Sequence, residues 1–129
     1  SPVRKGGWVV FGPRNNRNFV LEMNQKERQK ALFCMLSAKL QANALVVVKN
    51  LEMKEMRTQA MQAVVKALPI GKNALIALAA KNENVEKSAA NLKMVKTILA
   101  SYLNMADLLK YETLVLPEEA VVQLNALRA

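Results

Sequence analysis

Four short apolar runs constrain the fold of this chain more than any other feature: ALVVV (44–48), ALIALA (74–79), VKTIL (95–99) and TLVL (113–116). They are near-continuous rather than alternating. A strand with one wet face alternates apolar and polar residues; a strand covered on both faces does not. Helix signals lie between the runs. Residues 54–68 read as a helix closed by Pro69 and Gly71. Asn82 or Asn84 opens a short helix through Ala90, and Asn104 caps MADLLK at 105–110. Pro117, Glu118 and Glu119 suit the first turn of a last helix ending near Leu127, with Pro117 at its first position. From residue 44 onward, strand and helix therefore alternate four times. This is the pattern of an α/β domain whose parallel sheet is covered on both faces through right-handed crossovers.

The first 43 residues read differently. Gly6, Gly7, Gly12 and Pro13 interrupt any regular element over residues 1–24, which we expect to form an extended segment. Asn24 can then cap a helix over 25–41, with Glu27 near its positive end. Leu32, Met35, Leu36 and Leu40 share one face of that helix, and Lys26, Lys30, Ser37 and Gln41 share the opposite one. The expected organisation is an extended basic segment, 1–24, and a single globular domain, 25–129. No repeat or linker marks a second domain.

Charge separates these two parts. The chain of 129 residues carries 19 basic and 10 acidic side chains, net +9. Residues 1–50 hold nine of the basic and two of the acidic ones, net +7; residues 51–129 hold ten and eight, net +2. A basic surface of this kind points to a polyanion, nucleic acid first, and it should lie in the N-terminal third. No basic amphipathic anchor or apolar run of roughly 20 residues points to a membrane. A single cysteine excludes an internal disulfide and fits a reducing compartment. No signal peptide is evident, and Ser1 in place of Met fits a processed chain or a fragment.

Catalysis is poorly supplied. There is no histidine, hence no ready general base near neutral pH and no Cys/His metal cluster. Cys34 falls mid-helix without a histidine partner and reads as an inert helix residue. Asp107 and the other acids lie mostly at helix starts, in capping or solvated roles. The Gly71-Lys72 pair lacks the remaining residues of a P-loop and precedes a strand, so it reads as a turn. No strand is followed by a glycine-rich dinucleotide loop. Met53, Met56 and Met61 read as core filling. We expect no cofactor, no metal and no small-molecule substrate.

The N-terminal third offers another chemistry. Arginine grips phosphate with two prongs, glycine lets backbones approach, and Trp8 and Phe11 can stack on bases. The alternative for Trp8 is packing on the domain's own core. Two other classes compete for the whole chain: a nucleotide-binding or enzymatic module on a doubly wound fold, and a protein-interaction module using the Met-rich helix.

RKGGWVVFGPR, then NRNF, then NQKERQKALFCMLSAKL, resembles the large-subunit ribosomal protein four (L-four) family. The matching positions are Gly6, Gly7, Phe11, Gly12 and Pro13, then Lys26 and Arg28, then Leu36, Ser37 and Lys39. ENVEKSAANL (83–92) and LNMADLLKYETLVLPEEAV (103–121) continue the likeness in order. The resemblance implies a three-layer α/β/α fold with four parallel strands in the order 1-4-2-3. It implies a non-enzymatic constituent of the large ribosomal subunit that binds ribosomal RNA, beside neighbouring ribosomal proteins. Such a protein is cytoplasmic on the ribosome, or on an organellar one. The chain looks like the family's C-terminal globular part with the foot of its extended loop. On this reading Arg4, Lys5, Arg14, Arg17, Lys26, Arg28, Lys30 and Lys39 contact phosphates. Gly6, Gly7 and Gly12 permit close approach, Phe11 and Pro13 shape the turn, and Trp8 and Asn18 complete the RNA-binding set. Trp8 stands where the family usually has a third glycine and Asn15 where it has proline. Glu22 and Gln25 replace usual lysines, and Ala90 a usual arginine; each lost phosphate contact flattens salt dependence by roughly 0.9 log unit.

Overall fold

Strand parity sorts the core into two faces. A computed structural model describes residues 1–126. It runs α1 (Gln25–Gln41), β1 (Leu45–Val48), α2 (Thr58–Ala67), β2 (Ala74–Leu78), α3 (Glu83–Ala89), β3 (Val95–Leu99), a 3₁₀ turn (Ala100–Tyr102), α4 (Met105–Lys110), β4 (Thr113–Pro117) and α5 (Glu118–Ala126). Successive strand residues point to opposite sides. Leu75 and Ala77 of β2 share one side with Leu114 and Leu116 of β4, against Leu108 of α4, Ala120 and Leu124 of α5 and half-buried Leu32, Met35 and Leu36 of α1. Ile76, Leu78 and Val115 face the other side, against Met61 of α2 and Val85 and Ala89 of α3. The result is three layers, α/β/α.

All four strands are parallel, in the order β1-β4-β2-β3. This order explains the layers. The steps β1 to β2 and β2 to β3 move in one direction, and the step β3 to β4 returns. At a constant crossover hand, reversing direction moves the connecting helix to the opposite face. Accordingly α2 and α3 share one face and α4 lies on the other. β4, last in sequence, enters the middle, pairing Val115 with Val46 on one side and with Ile76 on the other.

Tertiary contacts shift several expected boundaries. α2 starts at Thr58 rather than 54. Leu51 and Met53, two residues apart, both pack on the second face, which suits extended rather than helical backbone. The Met53 carbonyl also accepts from Asn84 Nδ2 at 2.9 Å. Pro117 ends β4 opposite Val48 instead of opening the helix, and α5 begins at Glu118. The pairing carries the strand one residue further, and at its end proline's missing N–H is tolerated. The expected helix end at Leu127 lies outside the described residues. Leu40, assigned to the apolar face of α1, is 63% exposed and lines an open surface groove with Phe33 and with Leu45 of β1.

Of the expected caps, Asn24 fails while Asn82 and Asn104 form. Asn24 makes no capping bond; its Nδ2 reaches Glu27 Oε1 at 3.5 Å. Asn82 does cap α3, accepting from the N–H groups of Asn84 and Val85. Asn104 caps α4, accepting from Asp107 N at 2.8 Å, and its Nδ2 donates back to Asp107 Oδ2 at 2.9 Å. Asp107 is buried and receives the Lys96 ammonium at 2.6 and 2.8 Å, which ties α4 to β3. The Lys96 hydrogen bond holds the Asp107 carboxyl below the usual carboxylate range, against the opposing effect of burial and with help from Asn104.

Two stability predictions follow from these contacts. Met61 is fully buried and Met56 is exposed, so Met61→Ala should cost about 2–5 kcal/mol in denaturant unfolding. Met56→Ala should stay within about 0.5 kcal/mol. For Asp107, a depressed folded-state pKa means stability that is present above the unfolded value, about 4, and lost as pH falls below it. With Lys96 44% exposed, Asp107→Asn should cost about 1–2 kcal/mol at neutral pH. The gap in melting temperature between variant and parent should narrow as melts are taken from pH 7 down to about pH 3.

Candidate nucleic-acid interface

Residues 1–24 contain neither helix nor strand. Their order comes from turns. Arg4 N donates to Ser1 O at 3.1 Å and Gly7 N to Arg4 O at 2.8 Å. Gly6 has φ +81°, the left-handed region that glycine enters freely. At Gly7 a Cβ would overlap the Ser1 carbonyl, so this glycine is required by the chain's own turn. Gly12 has open space where a Cβ would stand and remains free for approach from outside. Asn18 Oδ1 accepts from Val20 N at 2.9 Å, which sets a local turn at an exposed position.

The aromatic rings point to solvent. Trp8 is 87% exposed, Phe11 85% and Phe19 73%. Packing of Trp8 on the core, the bland alternative, is not what the structure contains. Phe11 adopts φ +56°, which costs a bulky residue roughly 1–2 kcal/mol. The Arg14 guanidinium lies 5.9 Å from the Phe11 ring centroid, and that of Arg17 lies 5.0 Å from Phe19. Phe11, Gly12, Pro13, Arg14, Arg17 and Phe19 line one shallow concavity. Cation–π contact preorganises each guanidinium beside a stacking surface.

The expected phosphate-binding cations fall into two groups. Arg4, Lys5, Arg14, Arg17, Lys26, Arg28 and Lys30 are exposed, and among the described residues none of them forms an ion pair. Lys39 is spent internally. Its ammonium donates to Tyr111 O and Glu112 O, both at 2.8 Å, capping the end of α4 from α1. Desolvation lowers its pKa, and the Glu112 carboxylate opposes that shift. A cationic residue on a helix face gives no signal of such a partner 72 positions away.

The Gly71-Lys72 turn is likewise filled from within. Lys72 N donates to Glu112 Oε2 at 3.0 Å and Gly71 N to Thr113 Oγ1 at 3.2 Å. The turn's amides are thus committed to the chain's own side chains, and the Glu112 carboxylate lies against Gly71. At the carboxyl ends of the strands, where doubly wound folds hold nucleotides, the crevice includes Glu52 and Glu119 and no glycine. Among the described residues no three potential metal ligands gather, and no helix is long and apolar enough to cross a membrane. Cys34 is a free, exposed thiol on α1.

The sequence profile of the Ribosomal protein L4/L1 family matches residues 1–127. Large ribosomal subunit protein uL4 of Lachnoclostridium phytofermentans is 38% identical over 129 residues, all of this chain and 62% of that protein. The protein of the same name from Dehalococcoides mccartyi is 42% identical over 127 residues, 98% of this chain and 60% of its own length. That from Desulforudis audaxviator is 36% identical over 129 residues. The chain thus spans about three-fifths of the length of these relatives.

The placement of Lys39 separates scaffold from interface experimentally. Lys39→Met should lower unfolding stability by about 1–2 kcal/mol through the loss of two charge-assisted hydrogen bonds. Filter binding of the folded variant to RNA should match the parent, in contrast to changes at Arg14 or Arg17.

Proposed function

The chain belongs to the Ribosomal protein L4/L1 family, and from that premise we propose that it is a structural, non-catalytic constituent of the large ribosomal subunit. It binds ribosomal RNA through the basic segment 1–24 and the first turns of α1, on the scaffold formed by residues 25–129. The observation that carries this reading is the display of Trp8, Phe11 and Phe19 to solvent, interleaved with Arg4, Lys5, Arg14 and Arg17, none of which forms an ion pair among the described residues. An exposed apolar ring has little reason to stay exposed unless something stacks on it, and a guanidinium held beside it meets the phosphate of the same nucleotide.

Arg4, Lys5, Arg14, Arg17, Lys26, Arg28 and Lys30 supply the phosphate contacts. Gly12 admits the RNA backbone closely, while Gly6 and Gly7 fold the segment so that its rings face outward. Asn18 offers its amide nitrogen. Trp8 extends the stacking surface instead of disturbing it. Lys39 belongs to the scaffold. The partners are ribosomal RNA and neighbouring ribosomal proteins, and the location is the ribosome, in the cytoplasm or an organelle.

Binding to large-subunit ribosomal RNA fragments should weaken steeply with salt. Replacing Arg14, Arg17 and Arg28 with alanine, singly and together, should reduce the slope of log K against log salt by about 0.7–0.9 per residue. Unchanged affinity in the triple variant would overturn the assignment. Sedimentation of the native protein should show comigration with large subunits; a free monomer alone contradicts the reading.

A further inference from the structure

A groove runs between the start of α1 and the 3₁₀ turn leading into α4. We propose that it holds a single unstacked nucleotide of the bound RNA. The proposal rests on the RNA-binding reading above and extends it from the N-terminal segment into the globular part.

The groove has the two kinds of surface a nucleotide needs. Its apolar residues are Leu32, Leu103 and Met105; its polar ones include Gln25, Arg28 and Ser101. A nucleobase has flat apolar faces and a hydrogen-bonding edge, and single-stranded RNA is read by splaying such bases into protein pockets. Apolar side chains take the faces. The Gln25 carboxamide carries both donors and an acceptor for the edge. The Arg28 fork reaches the attached phosphate.

Charge supports RNA as the occupant. No lining residue is acidic. Asp107, the acid in the first turn of α4, is committed to Lys96 and Asn104. The crevice at the strand ends, by comparison, includes two glutamates. The groove is also continuous with the proposed interface: the basic segment ends at residue 24 and the groove begins at Gln25. Between Arg17 and the groove the chain carries one charged residue, Glu22, and Arg28 supplies the cation at the groove itself.

The test uses the full chain and a large-subunit ribosomal RNA transcript. Met105→Asp places a carboxylate in the groove at a helix start, where an acid is tolerated. It should weaken binding about tenfold, the worth of one stacked base, with the salt slope unchanged. Gln25→Ala, at an exposed position, should weaken binding about threefold and carries the test if melting shows Met105→Asp to be unfolded. Arg14→Ala with Arg17→Ala serves as the reference and should reduce both affinity and slope. If the folded groove variants bind like the parent while the arginine variant is weakened, the pocket is overturned and the RNA reading stands. If the arginine variant also binds like the parent, the RNA reading itself falls. A groove variant that keeps full RNA affinity but no longer associates with large-subunit proteins also overturns the proposal, in favour of a protein occupant.

Discussion

The structure depends on the entry of β4 between β1 and β2. The edge strand β1 is hydrogen-bonded only to β4, and β4 alone joins it to the β2–β3 pair. Until this last strand inserts, neither face of the sheet is continuous. Its entry point is held from several directions. Thr113 N donates to Asn73 O and Leu114 N to Ala44 O. Glu112 N donates to Asn73 Oδ1, and Asn73 Nδ2 donates to Lys110 O. Lys39 reaches the Tyr111 and Glu112 carbonyls from α1. These bonds satisfy backbone groups in a tight connection between α4 and β4 that otherwise has no ladder to join. They also set the register that points Leu114 and Leu116 to one core and Val115 to the other.

That arrangement disposes of charge as well as of apolar surface. Over residues 51–129 the scaffold uses four of its eight acids internally or in local pairs: Asp107 with Lys96, Glu112 with the Gly71-Lys72 turn, Glu55 with Arg57, Glu83 with Lys87. The seven exposed cations from Arg4 to Lys30 find no such partner among the described residues. Net charge therefore concentrates in the N-terminal part of the chain, +7 over residues 1–50, while residues 51–129 carry +2. On the proposed RNA-binding reading this division matters, because each such cation can displace condensed counterions from phosphate.

Much of the fold was legible because its signals are local. Near-continuous apolar runs indicated a buried parallel sheet, and α1 was placed to the residue at both ends. Asn82 and Asn104 were readable as caps because a cap needs only the next three residues. The start of α2 was misplaced because Leu51 and Met53 are held by the core and by Asn84, contacts that no local pattern encodes. Pro117 was misplaced for a similar reason: its place in β4 depends on Val48 across the ladder. On the candidate site, composition located the basic segment. The exposure of Trp8 and the pairing of Arg14 with Phe11 and Arg17 with Phe19 required coordinates.

Lys39 marks the boundary most clearly. By residue type and spacing it is one more cation on a basic helix; in the folded chain it is an internal strut. The groove beside Gln25 is a similar case, since Leu32 on one wall and Ser101 on the other lie 69 residues apart in the chain. By itself the sequence determined the class of fold, the sign and location of the surface charge and the shortage of catalytic groups, because hydropathy, charge and residue chemistry are properties of the chain at each point. Only the tertiary structure decided which cations stay free and which rings stay exposed. Those properties belong to what the other end of the chain brings alongside.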